Sequence, residues 1–340
     1  MYRSLAIKIC FVFVLFLQMS GAAMASAWDQ YKARFVTAEG AVIDTQGDKK
    51  VSHSEGQSYG LLFALAYNDR STFEKIYNWT KKNLKNKENG LFYWAYRHDQ
   101  KNKISDKNNA SDGDLVIAMS LLRASERWGI RSYKIDSEHI ANNILFATVT
   151  KYAGFEVMLP GENGFYYNSS IILNPSYFVF PAFGAIYNHT HISAWKDLYD
   201  DSLKILNKVD SMKVRVKIPS DWLSMDAAGN LKPAKEWPAR SSYDAIRVPV
   251  YLYWVDPHSS ALQPWKNWFS KFKDGANPAW VNVATEEVAP YKMPPGLVAV
   301  RNLVLGAYPD SAMPEPEITP ADDYYNASLK LLVFLANRHF

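Results

Sequence analysis

The stretch Ala110-Ser111-Asp112-Gly113-Asp114-Leu115-Val116-Ile117-Ala118-Met119-Ser120-Leu121-Leu122-Arg123-Ala124-Ser125-Glu126-Arg127-Trp128 most constrains the fold, because it joins two carboxylates to a helix built for a core. Leu115, Ile117, Ala118, Leu121, Leu122 and Trp128 make a broad apolar stripe at helical spacing, so the helix must be covered by neighbours. Ser111 followed three residues later by Asp114 reads as a capping box, with Asp114 held to the helix start. Asp112 is left over. Acidic groups at the mouth of a buried helix either complement its positive end or carry chemistry, and spacing alone does not choose between them.

The same periodicity predicts further helices over 28–35, 56–67, 71–84, 115–128, 137–149, 177–187, 195–208, 242–254 and 327–337. Strand signals are few. Residues 86–109, 151–174 and 212–240 read as loops rich in Asn, Lys, Gly and Pro, and Pro/Gly-rich stretches recur at 290–320. No low-complexity linker, charge block or short exact repeat divides the chain, which is expected to form one domain over 26–340.

Met1–Ala25 reads as an export signal: Arg3 and Lys8 precede the apolar run Ile9–Met19, and Ala23-Met24-Ala25 supplies small residues for cleavage. Ala25-Ser26-Ala27 serves equally well. Export places the mature chain in the periplasm or outside the cell. Nothing else approaches the roughly 20 apolar residues of a spanning helix, so no membrane anchor is expected. The only cysteine, Cys10, lies in the signal, which removes disulfides and thiolate chemistry from the mature chain. Losing Arg3 and Lys8 lowers the formal charge from +4 to +2, with both signs interleaved, which argues against a nucleic-acid partner.

Two more acidic segments stand out. Glu55 lies in Ser52-His53-Ser54-Glu55-Gly56-Gln57-Ser58-Tyr59-Gly60, where Ser52 and Glu55 also read as a capping box. Asp244 lies in Arg240-Ser241-Ser242-Tyr243-Asp244-Ala245-Ile246-Arg247-Val248-Pro249, where Asp244 and Arg247 also fit a plain ion pair on adjacent helical turns.

All nineteen positions of the 110–128 stretch resemble the signature of glycoside hydrolase family 8, a family of inverting endoglucanases. The Glu55 segment resembles the family's Ser-Glu-Gly-Gln-Ser-Tyr-Gly motif, and the Asp244 segment its Ser-Tyr-Asp-Ala-Ile-Arg motif. The resemblance runs from about Trp28 to near the C-terminus. It implies an all-α (α/α)6 barrel with a substrate cleft across one end, Glu55 as general acid and Asp244 as general base. Inversion needs such a pair, one protonating the leaving oxygen and one activating water. As an acid at neutral pH, Glu55 would need partial burial against apolar walls. Arg247 would keep Asp244 ionised and reach sugar hydroxyls. Asp112 would position the distorted sugar, an older reading making it a nucleophile.

Pyranose faces stack on aromatic rings. The 14% aromatic content suits such a surface, although helix packing also consumes aromatics. Trp94 is the first candidate platform, followed by Tyr177, Tyr243, Tyr324 and Tyr325. The seven histidines show no metal-ligand spacing, and neither a metal nor a cofactor is expected. The substrate implied is a β-1,4-glucan, cellulose. Lys107-Asn108-Asn109, Asp221-Trp222-Leu223 and Trp237-Pro238-Ala239-Arg240 favour the subgroup encoded beside bacterial cellulose synthases, where the enzyme would trim nascent glucan and the synthase machinery is a candidate partner. A xylanase or chitosanase would share the scaffold and acids. A non-catalytic glucan-binding protein would need the platforms but no acid and base.

Overall fold

The computed structural model describes residues 25–45, 50–309 and 311–340. Apart from Ala25, the expected export signal, with Cys10, lies outside the described residues. In chain order the elements are α1 (Ala27–Phe35), β1 (Val51–His53), α2 (Ser54–Ala66), α3 (Arg70–Asn83), β2 (Ala95–Arg97), α4 (Ser111–Trp128), α5 (Arg131–Thr148), β3 (Val149–Tyr152), β4 (Phe155–Met158), β5 (Tyr166–Tyr167), β6 (Ser170–Leu173), α6 (Phe180–Thr190) and α7 (Ser193–Lys208). They continue with β7 (Leu223–Asp226), β8 (Leu231–Pro233), β9 (Arg240–Ser241), α8 (Val248–Val255), α9 (Gln263–Ser270), β10 (Val281–Asn282), α10 (Pro295–Val304) and α11 (Tyr324–Asn337).

α2 packs on α4, α4 on α6, α6 on α8, α8 on α10 and α11, and α11 returns to α2. Around this ring, α3 covers α2, α5 covers α4, α7 covers α6, α9 covers α10, and α1 lies on α11. The architecture is an (α/α)6 barrel. The difference between layers is written in the side chains. α2, α4, α8 and α11 are buried along most of their length, whereas α7 buries one stripe, Trp195, Leu198, Ser202, Ile205 and Leu206, and leaves the rest wet. Gly129, at φ 68°, stops α4 in the left-handed conformation that glycine tolerates without cost.

Close helix approach at one end of the ring is set by small residues. A Cβ on Gly113 of α4 would stand 2.5 Å from Ser54 Oγ and 2.9 Å from the Ser54 carbonyl carbon, so these two helix starts touch backbone to backbone. A Cβ on Gly56 would stand 2.9 Å from the Tyr324 hydroxyl. The helix starts that carry Asp112, Glu55 and Tyr324 therefore meet at one point.

All three stretches read as loops hold strands, β2 among them in 86–109. β5, β6, β7 and β8 form a four-stranded antiparallel sheet in that order, and β6 pairs β7 with Leu173 opposite Leu223. This register sets Asn174, just after β6, beside Asp221 and Trp222, just before β7. The strands are two to four residues long and separated by polar turns, too short for an alternating pattern to emerge from the surrounding Asn, Lys and Gly. Two helices also exceed expectation. α9 and α10 carry proline in their first turn, where its missing N–H costs nothing, so Pro295, within a stretch read as Pro/Gly-rich, starts a helix. The helix expected over 177–187 divides into a 3-10 turn at Pro175–Tyr177 and α6, and that expected over 242–254 begins as a 3-10 turn at Ala245–Arg247 before α8.

Candidate active site

Neither capping box forms. Ser111 Oγ donates to the Leu159 carbonyl at 2.8 Å, and Asp114 accepts from the Phe92 amide at 2.9 Å and from Asn109 Nδ2 at 2.8 Å. Asp114 thus ties the 92–109 loop to α4 and does not cap it. Ser52 belongs to β1 and meets His98 Nε2 at 2.9 Å, which releases Glu55 at the first turn of α2 to face outward. The side chains that local spacing assigned to caps are taken by loops distant in sequence.

What Glu55 faces is an open cleft of about 750 Å³ at the mouth of the barrel. Its lining brings together every residue singled out from the sequence: Glu55, Trp94, Asp112, Tyr177, Tyr243, Asp244, Arg247, Tyr324 and Tyr325. Asp44, His53 and Asp323 also line it, and none of these three was singled out for the site. Asp323 has a helix-start signal, since it caps α11 by accepting from the Asn326 amide at 2.7 Å.

Arg247 is the hub. Its side chain is only 2% exposed, and it reaches three carboxylates. One amino end, Nη1, contacts Glu55 Oε2 and lies 3.7 Å from Asp112 Oδ2; the other, Nη2, lies 2.9 Å from Asp244 Oδ1. The same fork donates to the Tyr59 hydroxyl at 3.2 Å and to Ser176 Oγ at 2.9 Å, which fixes its plane. Held on opposite ends of one guanidinium, the near oxygens of Glu55 and Asp244 stand no farther apart than roughly 8 Å.

The environment of each acid differs from the sequence-based expectation. Glu55 has no closed apolar wall: its side chain is 21% exposed, and besides Arg247 it accepts from the Tyr324 hydroxyl at 3.4 Å. Asp244 does not stay in the usual carboxylate range despite its contact with Arg247. About a third of the Asp244 side chain faces the cleft, yet it sits deep in the barrel mouth. Burial first, then the neighbouring charges of Asp221 and Asp112, push Asp244 up to about 7. Asp112, buried, is likewise pushed up to about 7 by desolvation and by Asp114, against backbone hydrogen bonds from Gly113 and from its own amide. A carboxyl whose protonation changes near neutral pH can exchange protons with water in either direction.

The aromatic residues frame these acids. Trp94 is held by Nε1 donating to Asp106 at 2.9 Å and lies parallel to His53, with centroids 5.9 Å apart. The Ser54 amide donates to the Trp94 carbonyl at 3.0 Å, coupling this wall to the start of α2. Tyr177 meets Trp222 edge-on. Tyr243 is exposed and edge-on to Tyr325, whose hydroxyl donates to the Tyr243 carbonyl. Tyr324 is buried and offers the cleft its hydroxyl, not a ring face.

A closed double ring of helices thus carries three acids around one buried arginine at its mouth. The chain belongs to glycosyl hydrolases family 8, whose description it matches over residues 4–339. A Cellulomonas uda endoglucanase is 48% identical over 281 residues, covering 83% of this chain and 77% of that protein. The crystal structure of a family 8 endoglucanase from Klebsiella pneumoniae superposes with a TM-score of 0.88 at 48% identity, over 92% of this chain and 99% of the other. An endo-β-1,4-glucanase from an Achatina fulica gut metagenomic library gives 0.88 at 49% identity, over 93% and 98%.

Proposed function

We propose that the chain is an exported endo-1,4-β-glucanase that cleaves internal glucosidic bonds with inversion, Glu55 serving as general acid and Asp244 as general base. The observation that carries the reading is the convergence of Glu55 and Asp244 on opposite ends of the Arg247 fork, with Asp112 beside it. A guanidinium inserted between two carboxylates acts as a spacer. An inverting pair stands about 6.5 to 9.5 Å apart to admit a water, against about 5 to 5.5 Å when the second acid attacks directly. Asp244, its proton equilibrium moved towards neutrality, accepts a proton from that water. Glu55, freed from Arg247 as a sugar enters, donates to the leaving oxygen. Asp112 is then the group that holds the sugar at the cleavage point, with Arg247 and the Tyr324 hydroxyl at its edges. Trp94, Tyr177, Tyr243 and Tyr325 supply the walls on either side, an open trough suited to a continuous polymer.

The names of the two endoglucanases and the endo-β-1,4-glucanase above favour glucan over xylan or chitosan. Three converging acids disfavour a protein that only binds, since stacking needs no acid. The subgroup segments around Asp221 and Trp237 support a place beside a cellulose synthase, trimming glucan as it is made. The test is stereochemical: proton NMR of cellopentaose during cleavage should record the α-anomer at the new reducing end before mutarotation. A β-anomer appearing first refutes Asp244 as base and returns Asp112 as a nucleophile.

A further inference from the structure

We propose that Asp221, outside the acid triad, is a positioning residue for Asp244, fixing the backbone that carries it and setting a second carboxylate against the same turn. The inference rests on the reading of Asp244 as base. Asp221 stands between β6–β7 and the turn that bears Asp244: Leu173 opposite Leu223 sets the register, and the Asp221 amide donates to the Arg240 carbonyl at 2.7 Å. From there the carboxylate reaches forward. Its Oδ1 accepts from the amides of Ser242 and Ala245, each at 2.8 Å, and its Oδ2 accepts from the Ser242 hydroxyl. Asp244 lies between these two anchored amides. On its other side Asp244 is met by Asn174 Nδ2 at 3.3 Å, from the same end of the paired strands. One sheet edge therefore grips the turn from beneath and the carboxylate from the side.

The charge arrangement points the same way. Asp244 faces Arg247 from its own turn, Asp112 from α4, Asp221 from the β7 side, Tyr177 from the Pro175–Tyr177 turn and Tyr325 from α11; Glu55 reaches it only through the shared guanidinium. Among these, Asp221 is the neighbouring charge that raises Asp244 most, after burial itself. Asp221 is itself raised by burial, against the hydrogen bonds it accepts.

The two roles separate by mutation. In Asp221→Asn the remaining Oδ1 still accepts both amides and the new amide can donate to Ser242 Oγ, so the turn is kept and only the charge is lost. Asp221→Ala removes both. Soluble cello-oligosaccharide turnover should then divide. For Asp221→Ala, kcat falls about 10²-fold with KM within about threefold, the scale expected when a catalytic group is displaced by about an ångström. For Asp221→Asn, kcat on the plateau stays within about threefold while the acidic limb of its pH profile moves to lower pH, because the carboxylate form of Asp244 is no longer repelled. A folded Asp221→Ala with wild-type kcat overturns the positioning role, and an unmoved acidic limb in Asp221→Asn overturns the electrostatic one. Should Asp221→Ala fail to fold, the Asn variant still decides: loss of kcat only in proportion to lost folded protein marks a merely structural residue. Asp244→Asn, run alongside, isolates the base assignment, since full activity there sinks that reading whatever Asp221 does.

Discussion

Adding one methyl group at Gly113 should impair catalysis by moving two acids apart without touching either. In Gly113→Ala the new Cβ would lie 2.5 Å from Ser54 Oγ and 2.9 Å from both the Ser54 carbonyl carbon and Cβ, against an ordinary contact of at least 3.4 Å. Rotating the Ser54 hydroxyl relieves only the first contact. The backbone contact needs 3.4 less 2.9, a separation of 0.5 Å between the starts of α2 and α4. Glu55 follows Ser54 and Asp112 precedes Gly113, so that separation is transmitted to the acids around Arg247. Alanine in a helix interior gains about 1 kcal/mol over glycine, but overpacking against a backbone costs about 1 to 3 kcal/mol, so the net effect is destabilising or near zero. At roughly 2 °C per kcal/mol for a chain of this size, Tm should fall by up to about 4 °C. Activity should suffer more, by about 10-fold or above, since a full ångström of misplacement costs on the order of 10²-fold. Calorimetry beside initial rates on cellopentaose reads both quantities. Wild-type kcat in the variant would refute the idea that this contact sets the acid geometry.

Glu55→Gln should fold normally and bind oligosaccharide while losing about 10²- to 10⁴-fold in kcat, as an amide cannot donate the proton; turnover near wild type would remove Glu55 from the reaction. Asp244→Asn should be comparably inactive, and azide should not restore it through a β-glycosyl azide, a product that mass spectrometry would detect. Trp94→Ala should raise KM more for long oligosaccharides than for short ones, and an equal rise for all lengths would make Trp94 a structural wall only. Asp114 is pushed up to about 7 by burial, so in the folded chain it holds a proton that the unfolded chain releases near pH 4. Its contribution to stability is therefore present below about pH 4 and is lost as pH rises towards 7. Asp114→Asn, which needs no proton, should gain in Tm relative to wild type between pH 5 and pH 8; a constant difference across that range would contradict the raised value.

The inner helices other than α10 were legible because their apolar residues repeat at helical spacing, as in Leu115–Trp128. The site was legible through short motifs around Glu55, Asp112 and Asp244, all of which line one cleft. Three kinds of information were not. Helix starts in α9 and α10 were concealed by prolines that punctuate loops as often as they open helices. Capping partners depend on which loop arrives: Ser111 is taken by Leu159 and Asp114 by Phe92 and Asn109, contacts no local window contains. The proton equilibrium of Asp244 reverses the expectation drawn from its neighbour Arg247, because sequence gives the pair but neither the burial of Asp244 nor the approach of Asp221 and Asp112.

The lining of the cleft has a consequence for what can approach it. Among the described residues that line it, five carboxylates, those of Asp44, Glu55, Asp112, Asp244 and Asp323, surround a single guanidinium, that of Arg247. Such a mouth carries a negative field that a neutral glucan does not feel at a distance, so its capture depends on contact and its rate should ignore ionic strength. A carboxymethylated or uronate-bearing chain meets repulsion that salt screens within about 10 Å at 0.1 M. Capture of charged polysaccharides should thus rise with ionic strength, and capture of neutral glucan should not.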